Sequence, residues 1–289
     1  MGYQLNTVMP VSMLAASLGL PWRGQHLNIS EVRPFNEAMP GTLSFTNTHP
    51  ENLLSADAVL IAPTGTDPGA GAIIEANNPR LEFARALNVL AATPGFMVST
   101  RSAQVAEDAV VSSTAVLGRG VTIGPRSVIG HHVVIADDVH IGADCHIKSN
   151  TVIGEAGFGF ERDEQGVPIR ILHLGNVVIG NRVEIGSLNT ICRATLGTTI
   201  IEDDVKTDDH VHIAHNCRVR RGALLTACTE LSGGVDVGAF AWIGPNTSII
   251  QKAVIGENAF VGIGSNVTAS VPPGARVAGN PARVLRKPD

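Results

Sequence analysis

Aromatic residues make up only 4% of this 289-residue chain, with two tryptophans and one tyrosine. A core built of packed rings is thereby excluded, and burial must come from aliphatic side chains. Four cysteines occur without any C-x-x-C spacing, which argues against a zinc knot or a disulfide framework. Basic residues do not predominate: the net charge is -5, so there is no basic field for nucleic acid or an anionic membrane. No apolar run approaches the ~20 residues of a membrane span. The first residues lack the charged-then-apolar order of a signal peptide, and the expected location is the cytoplasm.

What is present in abundance is a six-residue beat. It opens at Val105, Val111, Leu117, Ile123 and Ile129, continues through Ile135, Ile141, Ile147 and Ile153, and then breaks. It returns at Ile179, Ile185 and Ile191, slips, and resumes from Ile201 to Val267 with Thr207 the one polar opener. The first position is aliphatic, the second often Gly, the fifth small or branched. Such hexads are what a parallel β-helix needs: each is a short strand plus a corner, and three close one triangular coil. Coils stack at about the strand spacing of ~4.8 Å. The hexads imply about eight coils over 101–272. On handedness, the general crossover rule favours right-handed connections and the spacing does not override it. Cys145 and Cys217 fall at position five, where a small packing residue is wanted.

Residues 1–100 carry no hexads and read as a small α/β domain. Val11–Leu18 is a short helix, Ala56–Ala62 a buried strand ended by Pro63. Asn78-Pro79 is a helix start, Asn as N-cap and Pro at the first helical position. That helix should run to about Ala92 with Leu81, Ala84, Leu87 and Leu90 along one side. The break at 155–176 reads as a hairpin insertion containing Gly157-Phe158-Gly159-Phe160. Its phenylalanines suit either stacking on a base or sugar, or packing against protein. A smaller slip lies at Arg193–Thr199, and loops leaving a repeat scaffold usually serve binding.

The most informative stretch runs from Thr207 to Asn216. His215 is position three of the hexad opened by Ile213, hence outward near a corner. An outward imidazole is a general-base candidate near neutral pH, or simply a solvated surface histidine. His131, His132, His140 and His146 are outward as well.

Thr190-Ile-Cys-Arg, Asp208 and Ile213-Ala-His-Asn216 together resemble the core of the UDP-3-O-acylglucosamine N-acyltransferases, and so does Gly154–Phe160. Pro40–Asn47 and Asn78–Arg85 are similar to that family's nucleotide-binding domain, so the likeness is collinear over most of the chain. The resemblance implies a left-handed β-helix, a homotrimer with active sites between subunits, and transfer of an acyl group to the amine of a UDP-amino sugar in lipid A or surface-glycan synthesis. It implies no permanently bound cofactor and no metal; the donor is acyl-CoA or acyl carrier protein. His215 would be the base and Asp208 its orienting carboxylate. Phe45 would stack on uracil and Asn47 read the base, with Phe158, Phe160, Asn216 and Lys252 as further substrate contacts.

Three departures qualify it. Cys192 and Ala194 stand where family members usually have Asp and Gly, and Lys252 where they have a second histidine. In place of the family's C-terminal helices, Val271–Leu285 resembles the tail of coenzyme A-dependent sugar acetyltransferases. Gly262, Gly264, Arg276, Asn280 and Arg283 are therefore the donor-binding candidates, with 273–289 as a C-terminal tail. Arg286 and Lys287 add to that tail's charge, and the tail favours a short acyl-CoA donor. The alternatives are an acetyltransferase for a non-UDP nucleotide sugar, a γ-class carbonic anhydrase using the His210/His215 spacing, and a non-catalytic β-helix scaffold.

Overall fold

The computed structural model describes residues 3–50 and 57–285, so Ala56, Arg286 and Lys287 lie outside the described residues. The chain divides into two compact units. One holds the described residues up to Val98 together with Gly159–Leu174; the other holds Ser99–Phe158 and the described residues from Gly175 onward.

In the first unit a six-stranded sheet has the order β1-β3-β4-β5-β6-β2. The strands are β1 (Tyr3–Pro10), β2 (Trp22–Gly24), β3 (Asn28–Val32), β4 (Thr42–Phe45), β5 (Val59–Ala62) and β6 (Ala72–Glu75). β3 to β6 run parallel, and β1 and β2 pair antiparallel at the edges. Helix α1 (Val11–Leu18) ends at Gly19, whose φ of 67° an L side chain adopts less readily. Helix α2 (Pro79–Ala92) starts as its sequence dictates: Asn78 Oδ1 accepts from the Leu81 N–H at 3.2 Å. Its face of Leu81, Ala84, Leu87 and Leu90 is buried.

The segment Gly159–Leu174 is a hairpin of strands Phe160–Arg162 and Pro168–Arg170, and it bonds to α2. Arg85 reaches Glu164 at 2.7 Å, Arg80 reaches Glu161 at 3.1 Å, and Asn88 donates to the Arg170 carbonyl at 2.9 Å.

The second unit is a parallel β-helix with three faces. The first has eight strands, from Gln104–Val105 to Val254–Ile255; the third has eight, from Val116–Leu117 to Asn266–Val267. The second has ten, starting at Val110–Val111. Openers stack in register, Ile123 on Ile141 and Ile213 on Leu231. This continuous aliphatic column is the core; each buried Ile or Leu contributes about 1.5–3 kcal/mol. Thr207 is tolerated among the openers because its Oγ1 accepts from the Gly186 N–H at 3.1 Å. Buried hydroxyls at position five tie corners together, as when Thr151 donates to the Gly186 carbonyl at 2.7 Å.

The helix is longer than the eight coils read from the hexads. Past Val267, Val271 bridges Ile255, and Arg276–Ala278 pairs in parallel with Phe260–Val261. Part of the segment expected as a tail is thus a rung of the second face, covered in turn by antiparallel Arg283–Val284.

Corners follow each face in turn. Along the first, Asp108, Arg126, Asp144, Arg182, Asp204 and Arg221 alternate in sign; Arg126 meets Asp144 at 2.6 Å and Arg182 meets Asp204 at 2.6 Å. These pairs are exposed and screened, so they favour register more than they add stability. Among the described residues no helix is long and apolar enough to cross a membrane.

Candidate functional site

His215 sits at the third corner, just after the rung His212–Ile213, and is half-buried. Its Nδ1 lies 3.0 Å from Oδ1 of Asn216. Asn216 Oδ1 also accepts from the Thr195 N–H at 3.0 Å, and its Nδ2 donates to the Leu196 carbonyl at 2.7 Å. Asn216, expected to contact substrate, thus has three hydrogen bonds inside the protein. One coil on, Gly233 leaves room for the ring: a β-carbon there would come 2.7 Å from both Cε1 and Nε2.

Asp208 stands at the preceding corner and is exposed. Its Oδ1 accepts from the Asp209 N–H at 2.8 Å, and its carbonyl accepts from Asn189 Nδ2 at 3.0 Å. Within one chain, the place beside His215 Nδ1 that the resemblance gave to Asp208 is held by Asn216. Lys252 shares the third corner, two coils beyond Asn216; it is exposed, and its N–H donates to the Gly233 carbonyl at 3.0 Å.

On the same face as His215's rung, His212 Nδ1 meets Thr190 Oγ1 at 2.6 Å. Burial pushes the His212 imidazole below its usual value, with Glu230 pulling weakly the other way.

Residues 120–155 match the family described as bacterial transferase hexapeptide (six repeats). The chain carries a hexapeptide-repeat domain. It is 37% identical over 139 residues to the UDP-3-O-acylglucosamine N-acyltransferase of Caulobacter sp. strain K31, covering 48% of this chain and 41% of that protein. It is 46% identical over 89 residues to the same-named protein of Chlorobium chlorochromatii, covering 31% of this chain and 25% of that one. These matches span less than half of the relatives' length. Among solved structures, the Francisella novicida UDP-N-acetylglucosamine acyltransferase is 26% identical, with a TM-score of 0.49, over 65% of this chain and 70% of that one.

The other expected residues fall in separate places on the hexapeptide-repeat chain. In the first unit, Phe45 ends β4 and stacks on Phe83 of α2, centroids 4.7 Å apart, while Asn47 is exposed in the turn that follows. Phe160 opens the hairpin with Arg170 over its ring at 4.5 Å. Phe158, in the second unit, is 87% exposed. His173 lies with the hairpin in the first unit and not on a rung of the β-helix; it is buried, its Nδ1 3.1 Å from the Ile171 carbonyl.

The donor candidates gather on the second face and second corner. Arg276 lies over the Phe260 ring at 4.8 Å, and Phe260 stacks in turn on Trp242. Asn280 Oδ1 accepts from Asn266 at 3.2 Å, and Arg283 donates to the Ala282 carbonyl at 2.9 Å. Gly262 approaches so closely that a β-carbon would sit 2.9 Å from the Ala278 Cβ; Gly264 takes a φ of 65°. Cys145 and Cys217 are buried packing residues, and burial pushes the Cys217 thiol up to about 12.

Position four of most hexads adopts positive φ, from Gly120 onward. Asp144, Asn150, His210, Asn216, Asn246 and Lys252 all have φ between 53° and 62°. The signal was in the sequence as an excess of Asn, Asp, His and Gly at that position, the residues that tolerate this backbone best.

Proposed function

We propose that this chain is an N-acyltransferase that moves an acyl group from an acyl thioester to the amine of a UDP-amino sugar, acting as a homotrimer. UDP-3-O-acylglucosamine, named for the relatives, is the acceptor of first choice. The observation that carries the reading is the third corner, where the Ile213-Ala-His-Asn216 segment sets a half-buried imidazole with Nδ1 against the Asn216 amide and its Cε1–Nε2 edge against Gly233. A neutral sugar amine attacks the thioester carbonyl; the C–N bond forms, the C–S bond breaks, and the thiol departs. His215 takes the amine proton as attack proceeds and returns it to the leaving sulfur. Asn216 keeps the ring in place, and Lys252, further up the same corner, supplies a cation for phosphate.

The experiment is acyl transfer to UDP-3-O-acylglucosamine by the wild type and by His215→Ala. A general base contributes roughly 10²- to 10⁴-fold, so kcat should fall by about that much with melting temperature and trimer mass unchanged. A loss under tenfold would place the base elsewhere. A monomer by light scattering with full activity would remove the shared site.

A second reading of the donor has its own observation. Arg276 is braced on the Phe260 ring at the C-terminal end of the second face, presenting a cation suited to the phosphates of coenzyme A.

A further inference from the structure

The slip in the repeat between Ile191 and Ile201 enlarges the third corner, the rungs on either side lengthening to Thr190–Arg193 and Thr198–Ile201. Those two openers are ten residues apart where a hexad takes six. The extra chain bulges at the third corner and presents two backbone groups in one direction, the Thr195 N–H and the Leu196 carbonyl. Both are taken by one side chain, the amide of Asn216.

That double contact fixes which way the amide points. The carbonyl of Leu196 accepts only from the NH₂ end, and the N–H of Thr195 donates only to the oxygen. Turning the amide round would set donor against donor and acceptor against acceptor. With Oδ1 so placed, the imidazole nitrogen 3.0 Å away must be the donor. We infer that the slipped corner, acting through Asn216, holds neutral His215 with its proton on Nδ1 and its basic lone pair on Nε2.

The consequence rests on the proposed general-base role. Free imidazole prefers the opposite tautomer, with the proton on Nε2, in which Nε2 cannot accept a proton. The Cε1–Nε2 edge is the part of the ring that lies against Gly233, where the lack of a side chain keeps a β-carbon from intruding on Nε2. Asn216 is thus a positioning residue, and the insertion that looks like a defect in the repeat serves the imidazole. The φ of 60° at Asn216 fits this assignment, because Asn combines tolerance of that backbone with an amide able to make all three bonds.

The test reads the tautomer directly. The full-length protein is labelled with ¹⁵N-histidine, and the His215 ring nitrogens are assigned by their loss in His215→Ala. At a pH where the ring is neutral, wild type should show a protonated Nδ1 and an unprotonated Nε2. Asn216→Gly removes the amide without straining the backbone, and the ring should revert toward protonated Nε2. Asn216→Asp gives up the bond to the Leu196 carbonyl but keeps an acceptor for both Nδ1 and the Thr195 N–H, and should keep Nδ1 protonated. In acyl transfer, Asn216→Gly should lose about 10- to 100-fold in kcat with little change in the acceptor KM, and Asn216→Asp should stay within tenfold of wild type. Protonated Nε2 in the wild type overturns the inference. So does an unchanged Nδ1–H pattern in Asn216→Gly with its melting transition intact. Activity that ignores His215 would instead overturn the general-base reading while leaving the tautomer result to stand by itself.

Discussion

Gly233 faces the imidazole of His215 so closely that a β-carbon on it would lie 2.7 Å from both Cε1 and Nε2. The two residues occupy equivalent positions on successive coils, so the stacking that builds the helix also sets the space around the ring. The clashing atoms belong to the end of a side chain, which can swing, and not to a backbone, which cannot. Gly233→Ala is therefore expected to leave the melting temperature within a few degrees and to displace the ring. A misplacement of about 1 Å costs on the order of 10²-fold in rate. An unchanged kcat for Gly233→Ala would show that ring position at this edge does not matter.

Much of this architecture is legible because the β-helix repeats its instructions. Every aliphatic opener from Val105 to Val267 states the same requirement, and Thr207 is an exception with a local remedy in the Gly186 N–H. The helix start at Asn78-Pro79 is equally local. The bonding of Asn216 was not legible, because it depends on the backbone of residues 195 and 196, whose course follows from an irregular insertion. Asp208 illustrates the same limit from the other side. Motif spacing ties it to His215, whereas the coil turns between them and puts the two on different corners of one chain. Arg276 looked like tail and proved to be a rung, since pairing with Phe260 extends beyond the last clear hexad.

Phe45 combines two roles that one substitution separates. Its ring stacks on Phe83, a contact contributing about 0.5–1.5 kcal/mol to the first unit. Stacking on a uracil would add about 1–3 kcal/mol to ligand binding. Phe45→Ala should then lower both the melting temperature and the affinity for UDP-sugar measured by calorimetry, whereas Phe83→Leu should lower chiefly the former. Reduced stability with unchanged UDP-sugar affinity in Phe45→Ala would assign this ring to packing alone.

The donor is decided by competition. With one UDP-amino sugar, acetyl-CoA and a 3-hydroxyacyl carrier protein are compared by kcat/KM. Arg276, braced on Phe260, should matter for whichever phosphate-bearing donor is used. If coenzyme A is the donor, Arg276→Ala should raise the KM for acetyl-CoA several-fold with little change in kcat. A hundredfold preference for the carrier-protein donor would remove the coenzyme A reading.

His212 gives the protein a stability profile with a definite sign. Burial holds its imidazole below the usual value near 6.5, so the folded state binds this proton less readily than the unfolded chain. Between the folded value and ~6.5 the unfolded state carries more protons, and stability must rise with pH across that window. The contribution is complete above ~6.5 and is lost as pH falls through the folded value. The acidic groups act in a lower window. The Arg182 guanidinium beside Asp204 holds that carboxyl below the usual range, so its contribution is present above ~3.9 and disappears as pH drops through the depressed value. Melting temperatures measured from pH 8 to pH 5 should therefore decline for the wild type and decline less for His212→Gln, which has no ring to protonate. The two curves should run parallel below pH 4, where the carboxylates of the charged corner take over. Equal slopes between pH 7 and pH 5 would show that His212 is not held neutral by its surroundings.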